Sequence, residues 1–517
     1  MKILPIGVQS FERIRKKGML YVDKTARLLE LICQGAGRYF LSRPRRFGKS
    51  LTVATLEAMF QGRAELFQGM AAESWVAGQT AHPSPVLRLD MSRFRGSRGP
   101  EELDALLAEA ISSRPCLRGL DLAGGRRARD VLASAIEVLH ERKGPVVVLV
   151  DEYDAPILEN IAKPDKARAM RELLHDVYSM LKVYDDYIDF IFLTGISKFS
   201  KTGLFSTLNN LQDISMSMQY GDIVGYTQNE LEQCFIDWIE DVSLFINLDI
   251  KSLLSQLKDY YDGFSFDGKT KVYNPFSILN FFSDKRFSNY WYDSAQPSFL
   301  VEWIRRHHVQ PPEKYRHIRV ASDFVDAKEI ENANIESFLF QSGYLTIEKF
   351  EGSKLILDIP NKEVLSAFSR TYLRQEYDSD FFIEIADNIW DGFKSENIDK
   401  ILLSVNKIFS IIPHSHVKRN EFWYHDCFVM LLHCVGMIPY AEVQTVAGRS
   451  DVIVQTQDHV YVIEFKFAKD SGDVPAMRRE GEAQLRDKRY AQAYEGKGKR
   501  VVELVFVADD ETRCIVL

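Results

Sequence analysis

Two groups of residues in this 517-residue chain have the types and spacing for chemistry on phosphate. The first opens with the apolar run Tyr39-Phe40-Leu41, continues through Ser42-Arg43-Pro44-Arg45-Arg46-Phe47, and ends in Gly48-Lys49-Ser50. A strand, a loop closing in Gly-Lys-Ser and a helix start are the parts of a phosphate-binding loop. Backbone N–H groups wrap the phosphates, Lys49 reaches the β and γ oxygens, and Ser50 ligates Mg²⁺. Arg43 stands where such a loop has its first glycine, and Pro44 drives Arg43 toward extended dihedrals. Either the loop enters by another backbone path or phosphate binding is weakened. Gly48-Lys49-Ser50 alone is equally a helix N-terminus with an ordinary lysine. Arg45 and Arg46 either add charge at the phosphates or are solvated loop residues.

The partner of that loop is Val146-Val147-Val148-Leu149-Val150-Asp151-Glu152. So apolar a run reads as a central strand, and its two carboxylates emerge at the C-terminal edge, where open α/β sheets bind ligands. Asp151 is expected to hold hydrated Mg²⁺ and Glu152 to polarise the attacking water. A further strand ends in Thr194-Gly195-Ile196-Ser197, and Thr194 is expected to sense the γ-phosphate. The cofactors implied are ATP and Mg²⁺.

The second group lies near the C-terminus, where Asp451-Val452-Ile453-Val454 precedes Val460-Tyr461-Val462-Ile463-Glu464-Phe465-Lys466. Pairing about a turn between Gln457 and Asp458 sets Asp451 directly opposite Glu464, with Cβ atoms ~4.5–5.5 Å apart on one face. Lys466, two residues on, projects to that face as well. Two carboxylates this close repel unless a divalent cation neutralises them, and Mg²⁺, which takes oxygen ligands, suits the pair. The ion would activate a water and stabilise charge at a scissile phosphate. Lys466 would orient the nucleophile or counter charge, and the Phe465 carbonyl would complete the coordination. Glu-x-Lys alone means little in a chain with 27% charged residues, and a surface hairpin with solvated Glu464 and Lys466 is the alternative. Gln484 and Lys488, one turn apart, face the site or a nucleic-acid backbone, or else lie on a solvated helix face with Tyr490 beyond. Residues 476–500 hold eight basic and four acidic residues, a local basic surface suited to a polyanion.

The elements that must position these groups follow an α/β pattern in the first half. Residues 39–41, 86–89, 146–150 and 188–193 read as buried parallel strands, with helices at 51–60, 100–112 and 128–142 between them. From Thr227 the texture is helical, over 229–242 and 250–260, with turns at Tyr261-Asp262-Gly263 and Tyr273-Asn274-Pro275. The aromatics between Tyr260 and Trp291 read as the core of a lid. Beyond Pro311-Pro312, the segment 337–347, a hairpin at Glu351-Gly352-Ser353 and a helix over 362–374 suggest a winged-helix-like unit. The last hundred residues return to α/β: a helix at 422–435, strands at 441–445, 451–454 and 460–465, a helix at 476–494 and a strand at 500–507. The expected divisions are 1–225, 226–375, a helical connector at 376–415, and 416–517.

Composition agrees with that organisation. Hydrophobic residues make up 46% and aromatics 12%, which excludes a disordered, collagen-like or disulfide-stapled chain. The net charge of −8 excludes a uniformly basic nucleic-acid coat, so any nucleic acid must meet a local surface. The six cysteines form no CxxC pair, and neither His307-His308 nor His414 with His416 has a third ligand nearby. No stretch approaches the ~18 apolar residues a membrane span needs, and polar Gln9-Ser10 follows Met1 too soon for a signal peptide. A cytoplasmic protein with no membrane partner is expected.

Beyond their chemistry, certain words carry a family resemblance. Tyr21-Val22-Asp23-Lys24-Thr25, Leu41 through Ser50, Val150-Asp151-Glu152-Tyr153-Asp154 and Leu193 through Ser200 resemble the bacterial AAA-ATPase-like proteins. So do Leu208-Asn209-Asn210-Leu211, Tyr261-Asp262-Gly263 and Tyr273-Asn274-Pro275-Phe276-Ser277. Members commonly carry a C-terminal PD-(D/E)xK nuclease domain. The resemblance implies a P-loop NTPase parallel-sheet domain, a helical or winged-helix-like middle and a restriction-endonuclease-like α/β domain. It also implies that Arg43 is normal in the family, and that Glu421, on the helix before the strands, matches an added carboxylate. Two functions remain in view. One is an ATP-binding and ATP-hydrolysing module coupled to a Mg²⁺-dependent nuclease acting on nucleic acid, DNA before RNA, with homo-oligomerisation open. The other is a nucleotide-dependent regulatory protein whose nuclease-fold domain is inactive.

Overall fold

The computed structural model describes residues 1–122, 125, 127–198, 210–291, 309–310, 312–325, 334–376, 379–411, 420–435, 437, 440–445, 448–456, 458–488 and 499–517. Phe199, Ser200, Leu208, Asn209, His307, His308, His414, His416 and Tyr490 lie outside the described residues. The chain falls into two units, Met1–Val309 with Tyr315–Val364, and Gln310–Lys314 with Leu365–Leu517.

In the first unit, β1 (Arg38–Ser42), β2 (Val86–Asp90), β3 (Val146–Asp151), β4 (Ile188–Gly195) and β5 (Gln212–Asp213) form a sheet in the order β2-β3-β4-β1-β5. The pairs β2–β3, β3–β4, β4–β1 and β1–β5 are all parallel. All six residues of β3 are buried, as a strand covered on both faces requires. The registers Asp90↔Asp151 and Ser42↔Gly195 align the carboxyl ends of the strands at one edge. The helix Lys49–Phe60 starts at that edge, entered through Arg46 at φ 68° and Gly48 at φ 94°. A left-handed dihedral costs glycine nothing and an arginine something, so Arg46 is held by its surroundings.

The middle of this unit is helical. The expected helix over 229–242 is two helices, Gln228–Cys234 and Ile236–Phe245, broken at Phe235. Fully buried Phe235 stacks on Phe282 at 5.2 Å and meets Tyr226 at 5.4 Å, contacts that a continuous helix has no reason to provide. The helix Ile335–Ser342 ends at Gly343, φ 93°, where a Cβ would lie 2.8 Å from Pro44. Beyond it the chain turns into the strand Thr346–Glu351. An antiparallel sheet in the order β6-β8-β7 follows, built from β6 (Ile318–Ala321), β7 (Thr346–Glu351) and β8 (Lys354–Asp358). Its β7–β8 hairpin turns at Gly352, as read from the sequence.

The second unit is a five-stranded sheet in the order β13-β12-β11-β10-β9. Its strands are β9 (Tyr440–Thr445), β10 (Gly448–Gln455), β11 (His459–Ala468), β12 (Arg500–Asp509) and β13 (Cys514–Val516). β11 and β12 run parallel, and the other neighbours are antiparallel. On one face, Tyr461, Ile463, Phe465 and Phe506 share a core with Ile389, Phe393, Ile401 and Val405 of the helices Ser379–Ser395 and Ile398–Ile411. The segment read as a connector is therefore part of this core. On the other face, Ile453, Val462, Val505 and Val507 pack with Leu485 of the helix Val474–Lys488.

Candidate active sites

At the carboxyl edge of the first sheet lies a cavity of about 410 Å³. Gly48, Lys49 and Ser50 line it from the loop, Asp151 and Glu152 from β3, and Asp90 and Arg95 from β2 and its exit. Val8, Tyr226, Phe276 and Leu279 add apolar lining. Rings and aliphatic groups together with cations and carboxylates in one cavity suit a nucleotide, with its flat base and its phosphates.

Asp151 is buried, and the Ser50 hydroxyl donates to it. Burial raises its pKa to about 6; the Ser50 bond opposes the rise and the Glu152 charge adds to it. Its Oδ1 has no partner in the protein. A desolvated oxygen left over beside a hydroxyl is a fit for a hard, oxygen-seeking cation such as Mg²⁺. Lys49 donates to the carbonyls of Arg43 at 2.7 Å and Pro44 at 2.9 Å, so its ammonium closes the loop on itself. Burial lowers its pKa to about 8, against the pull of Glu152 and Asp151. Glu152, at φ 51°, is ion-paired with Arg95.

Arg45 and Arg46 both line the cavity. The Arg46 guanidinium lies 4.8 Å over the Phe276 ring. Arg45 is held below its ordinary pKa by burial and by the Arg95 charge, and Glu152 counters both. Thr194 does not face the γ-phosphate position expected for it. It is fully buried, and its hydroxyl donates to the Leu41 carbonyl at 2.8 Å, joining β4 to β1 beneath the loop.

At the position of the missing glycine, the Arg43 amide donates to the Gly195 carbonyl, extending the β1–β4 pairing one residue past Ser42. The guanidinium turns into the core, donating to the carbonyls of Ser42 (2.9 Å), Ser215 (2.5 Å) and Tyr220 (3.4 Å). It stacks 4.1 Å over the Phe266 ring. Burial lowers its pKa to about 9, and Asp213 and Asp267 counter that.

Other prominent sequence words prove to be scaffolding. Asp23 accepts from the Thr25 amide and hydroxyl and from the Ala71 amide, and Lys24 pairs with Glu230 at 2.6 Å. Asp154 accepts from the amides of Ile196 and Ser197 and from the Ser197 hydroxyl, tying the exit of β3 to that of β4. Gly195 has no room for a Cβ, which would lie 2.6 Å from the Tyr153 ring.

In the second unit, the β10–β11 register is the expected one, running from Val452↔Ile463 to Gln455↔Val460. Alternation then sends Asp451, Glu464 and Lys466 to the same face as Ile453 and Val462. The ladder stops one pair short of Asp451 and Glu464. There the Asp451 carboxylate accepts the Phe465 amide at 2.8 Å. Phe465, expected to offer its carbonyl, thus already has its amide engaged at the site. Lys466 donates to Glu464 at 2.9 Å and to the Gln484 side-chain oxygen at 3.0 Å. Gln484 gets this close because Gly481 lets its helix press on the sheet; a Cβ there would lie 2.5 Å from Val505. Lys488 is exposed.

Glu464 is 1% exposed, and its Oε2 has no partner in the protein. Burial and the Asp451 charge push its pKa up to about 7, with Lys466 opposing. Burial also raises Glu421, where Lys466 opposes and Asp451 and Glu480 add, so this helix carboxylate senses the same centre. His425, which the sequence reading missed, lies one turn along that helix. It packs edge-on to Phe465 and contacts the Asp451 carbonyl at 3.3 Å. The four-residue interval from Glu421 was the available signal.

The orphaned Glu464 oxygen beside Asp451 fits a hard divalent cation, and binding it requires loss of the Glu464 proton. A carboxyl raised to about 7 keeps that proton at low pH, so affinity is expected to rise with pH. By calorimetry, Mn²⁺ should bind about tenfold more tightly at pH 8 than at pH 6. A flat profile would remove Glu464 from the ligand set.

Residues 5–205 match the family described as Predicted AAA-ATPase, and residues 419–516 match the PD-(D/E)XK nuclease superfamily. Over its whole length the chain is 32% identical to the "Uncharacterized protein in vnfD 5'region" of Azotobacter chroococcum mcd 1, covering 98% of that protein. No solved structure matches. No helix among the described residues is long and apolar enough to cross a membrane.

Proposed function

We propose, from the premise that this chain belongs to the AAA-ATPase-like family with a C-terminal PD-(D/E)XK nuclease superfamily domain, that it is an ATP-dependent nuclease. ATP occupies the cavity of the first unit, and nucleic acid, DNA before RNA, is cut at the carboxylate face of the second. The observation that carries the nuclease reading is the buried, unpartnered Glu464 oxygen facing Asp451, with Lys466 held between Glu464 and Gln484.

The chain's own groups divide the work. Lys49 exchanges its loop carbonyls for phosphate oxygens, the loop amides cradle the phosphates, and Ser50 with Asp151 would hold Mg²⁺. Glu152 accepts a proton from the attacking water. In the second unit, Asp451 and Glu464 would hold a second Mg²⁺, with the Phe465 carbonyl completing its sphere. Lys466 counters charge on the scissile phosphate, and Gln484 keeps it there. Bound Mg²⁺ supplies Lewis acidity and a lowered pKa for a coordinated water.

The test is incubation of the full chain with plasmid, single-stranded DNA and RNA, with Mn²⁺ or EDTA, with and without ATP, scored on gels. Metal-dependent cutting is expected. ATP binding without cutting would leave the regulatory reading, in which the nuclease fold serves as an adaptor. Lys49→Ala should weaken ATP binding about ten- to hundredfold, the worth of a charge-assisted contact. Calorimetry checks this, and an unchanged Kd would remove Lys49 from the phosphates.

A further inference from the structure

A plain phosphate site does not account for the ion pair that holds Glu152. Arg95 donates to the Glu152 carboxylate from the exit of β2. Its place is fixed by the fold. Asp90, the last residue of β2, is paired in register with Asp151. Its carboxylate accepts from the Ser92 amide and hydroxyl and turns the chain into the short helical segment Met91–Phe94. Arg95 caps that segment and lines the same cavity as Lys49 and Ser50. Its side chain is 35% exposed and that of Glu152 23%, so the pair is open to the cavity and able to exchange partners.

We infer that Arg95 is a ligand of the ATP γ-phosphate supplied from within this chain, and that by moving to the phosphate it releases Glu152 to act as base. This rests on the ATP reading given above. A guanidinium forms its strongest hydrogen bonds with anionic oxygens, and a γ-phosphate offers more charge and more acceptors than one carboxylate. While its carboxylate is engaged by Arg95, Glu152 is not placed to accept a proton from a water. Its left-handed φ of 51°, costly for a non-glycine residue, marks a conformation imposed by its surroundings. ADP lacks the group that would draw Arg95 away, so the base stays masked with product bound. With ATP bound, the water oxygen forms a bond to Pγ and the bond from Pγ to the bridging oxygen breaks. Glu152 takes the water proton, and ADP and inorganic phosphate leave. Arg95 would thus carry the discrimination between ATP and ADP as well as rate.

The experiment compares full-length wild type, Arg95→Ala, Arg95→Lys and Glu152→Gln. It measures calorimetric affinity for ADP and for a non-hydrolysable ATP analogue, and single-turnover hydrolysis. Arg95→Ala should bind ADP within about threefold of wild type and lose about tenfold or more of the preference for the triphosphate; its turnover should fall about 10²-fold. Retained ADP binding reports a folded site. Arg95→Lys should recover part of the triphosphate preference, and Glu152→Gln should keep that preference while losing turnover. An unchanged preference in Arg95→Ala, or faster turnover there, would overturn the proposal by reducing Arg95 to a restraint on Glu152. Wild type binding neither nucleotide would instead remove the ATP reading itself.

Discussion

Asp451→Ala in the full chain should lower metal-dependent phosphodiester cleavage by about 10³-fold, with ATP affinity unchanged. The expected size follows from what that side chain does. With Glu464 it is one of the two carboxylates that would hold the cation, and its charge is part of what raises the Glu464 pKa to about 7. A cation left with Glu464 alone loses half its anionic ligands, and with them the polarisation of its water. Asp451 also accepts the Phe465 amide, so alanine removes a structural bond as well. Asp451→Asn separates the two roles. Its side-chain oxygen can still accept from that amide, while the charge is gone, so β11 should stay in place and cleavage should still collapse. In both variants the Glu464 carboxyl should titrate closer to the usual carboxylate range, because a like charge has left. Gel-based rates with Mn²⁺ check the first point and calorimetry the second. Cleavage within a few-fold of wild type in Asp451→Asn would remove the carboxylate from catalysis.

What the sequence displayed, and what it hid, divides along the range of the forces involved. The β10–β11 register was readable because period-two alternation around one turn leaves a single pairing that buries Val452, Val454, Tyr461 and Ile463 together. β3 was readable because the five apolar residues from Val146 to Val150 run unbroken up to Asp151, as in a strand covered on both faces. The break at Phe235 was not readable, and the ring it packs on, Phe282, is distant in sequence. Thr194 looked like a phosphate sensor because strand ends at this edge face ligands. Its hydroxyl instead serves the neighbouring strand, and one strand alone cannot reveal which neighbour it has. Arg95 and His425 were missed for the same reason. Nothing near Arg95 in sequence marks it as a cavity residue until the Asp90↔Asp151 register puts β2 beside β3. Gln484 was only half legible: its helical spacing from Lys488 showed a face, but the close approach at Gly481 decides that this residue meets Lys466.

Restoring the missing glycine makes the sharpest test of the loop. By sequence logic Arg43→Gly should repair the phosphate-binding pattern and strengthen nucleotide binding. The structure leads to the opposite expectation, a loss of about 3–5 kcal/mol of stability in the first unit. Arg43 is 1% exposed; its guanidinium donates to the Ser215 carbonyl, which would lose that donor in a buried place, and shares the Tyr220 carbonyl with the Ile223 amide. The carboxylates of Asp213 and Asp267 would lose the buried cation that their charges support. A void would also open under Phe266, whose ring now carries the guanidinium, and beside Phe47, which meets Phe264 and Phe266 edge-on at 4.9 and 5.6 Å. These losses share one pocket and do not add independently, which is why the figure stays below their sum. Arg43→Lys should fall between, keeping a charge but not the fork that reaches three carbonyls. Urea unfolding followed by circular dichroism measures the loss, and ATP calorimetry on the folded fraction asks whether binding improves. A glycine variant as stable as wild type and tighter for ATP would mean that the loop needs no anchor. The expected result is that arginine here replaces the conformational freedom of glycine with a fixed hold on the segment behind the phosphates.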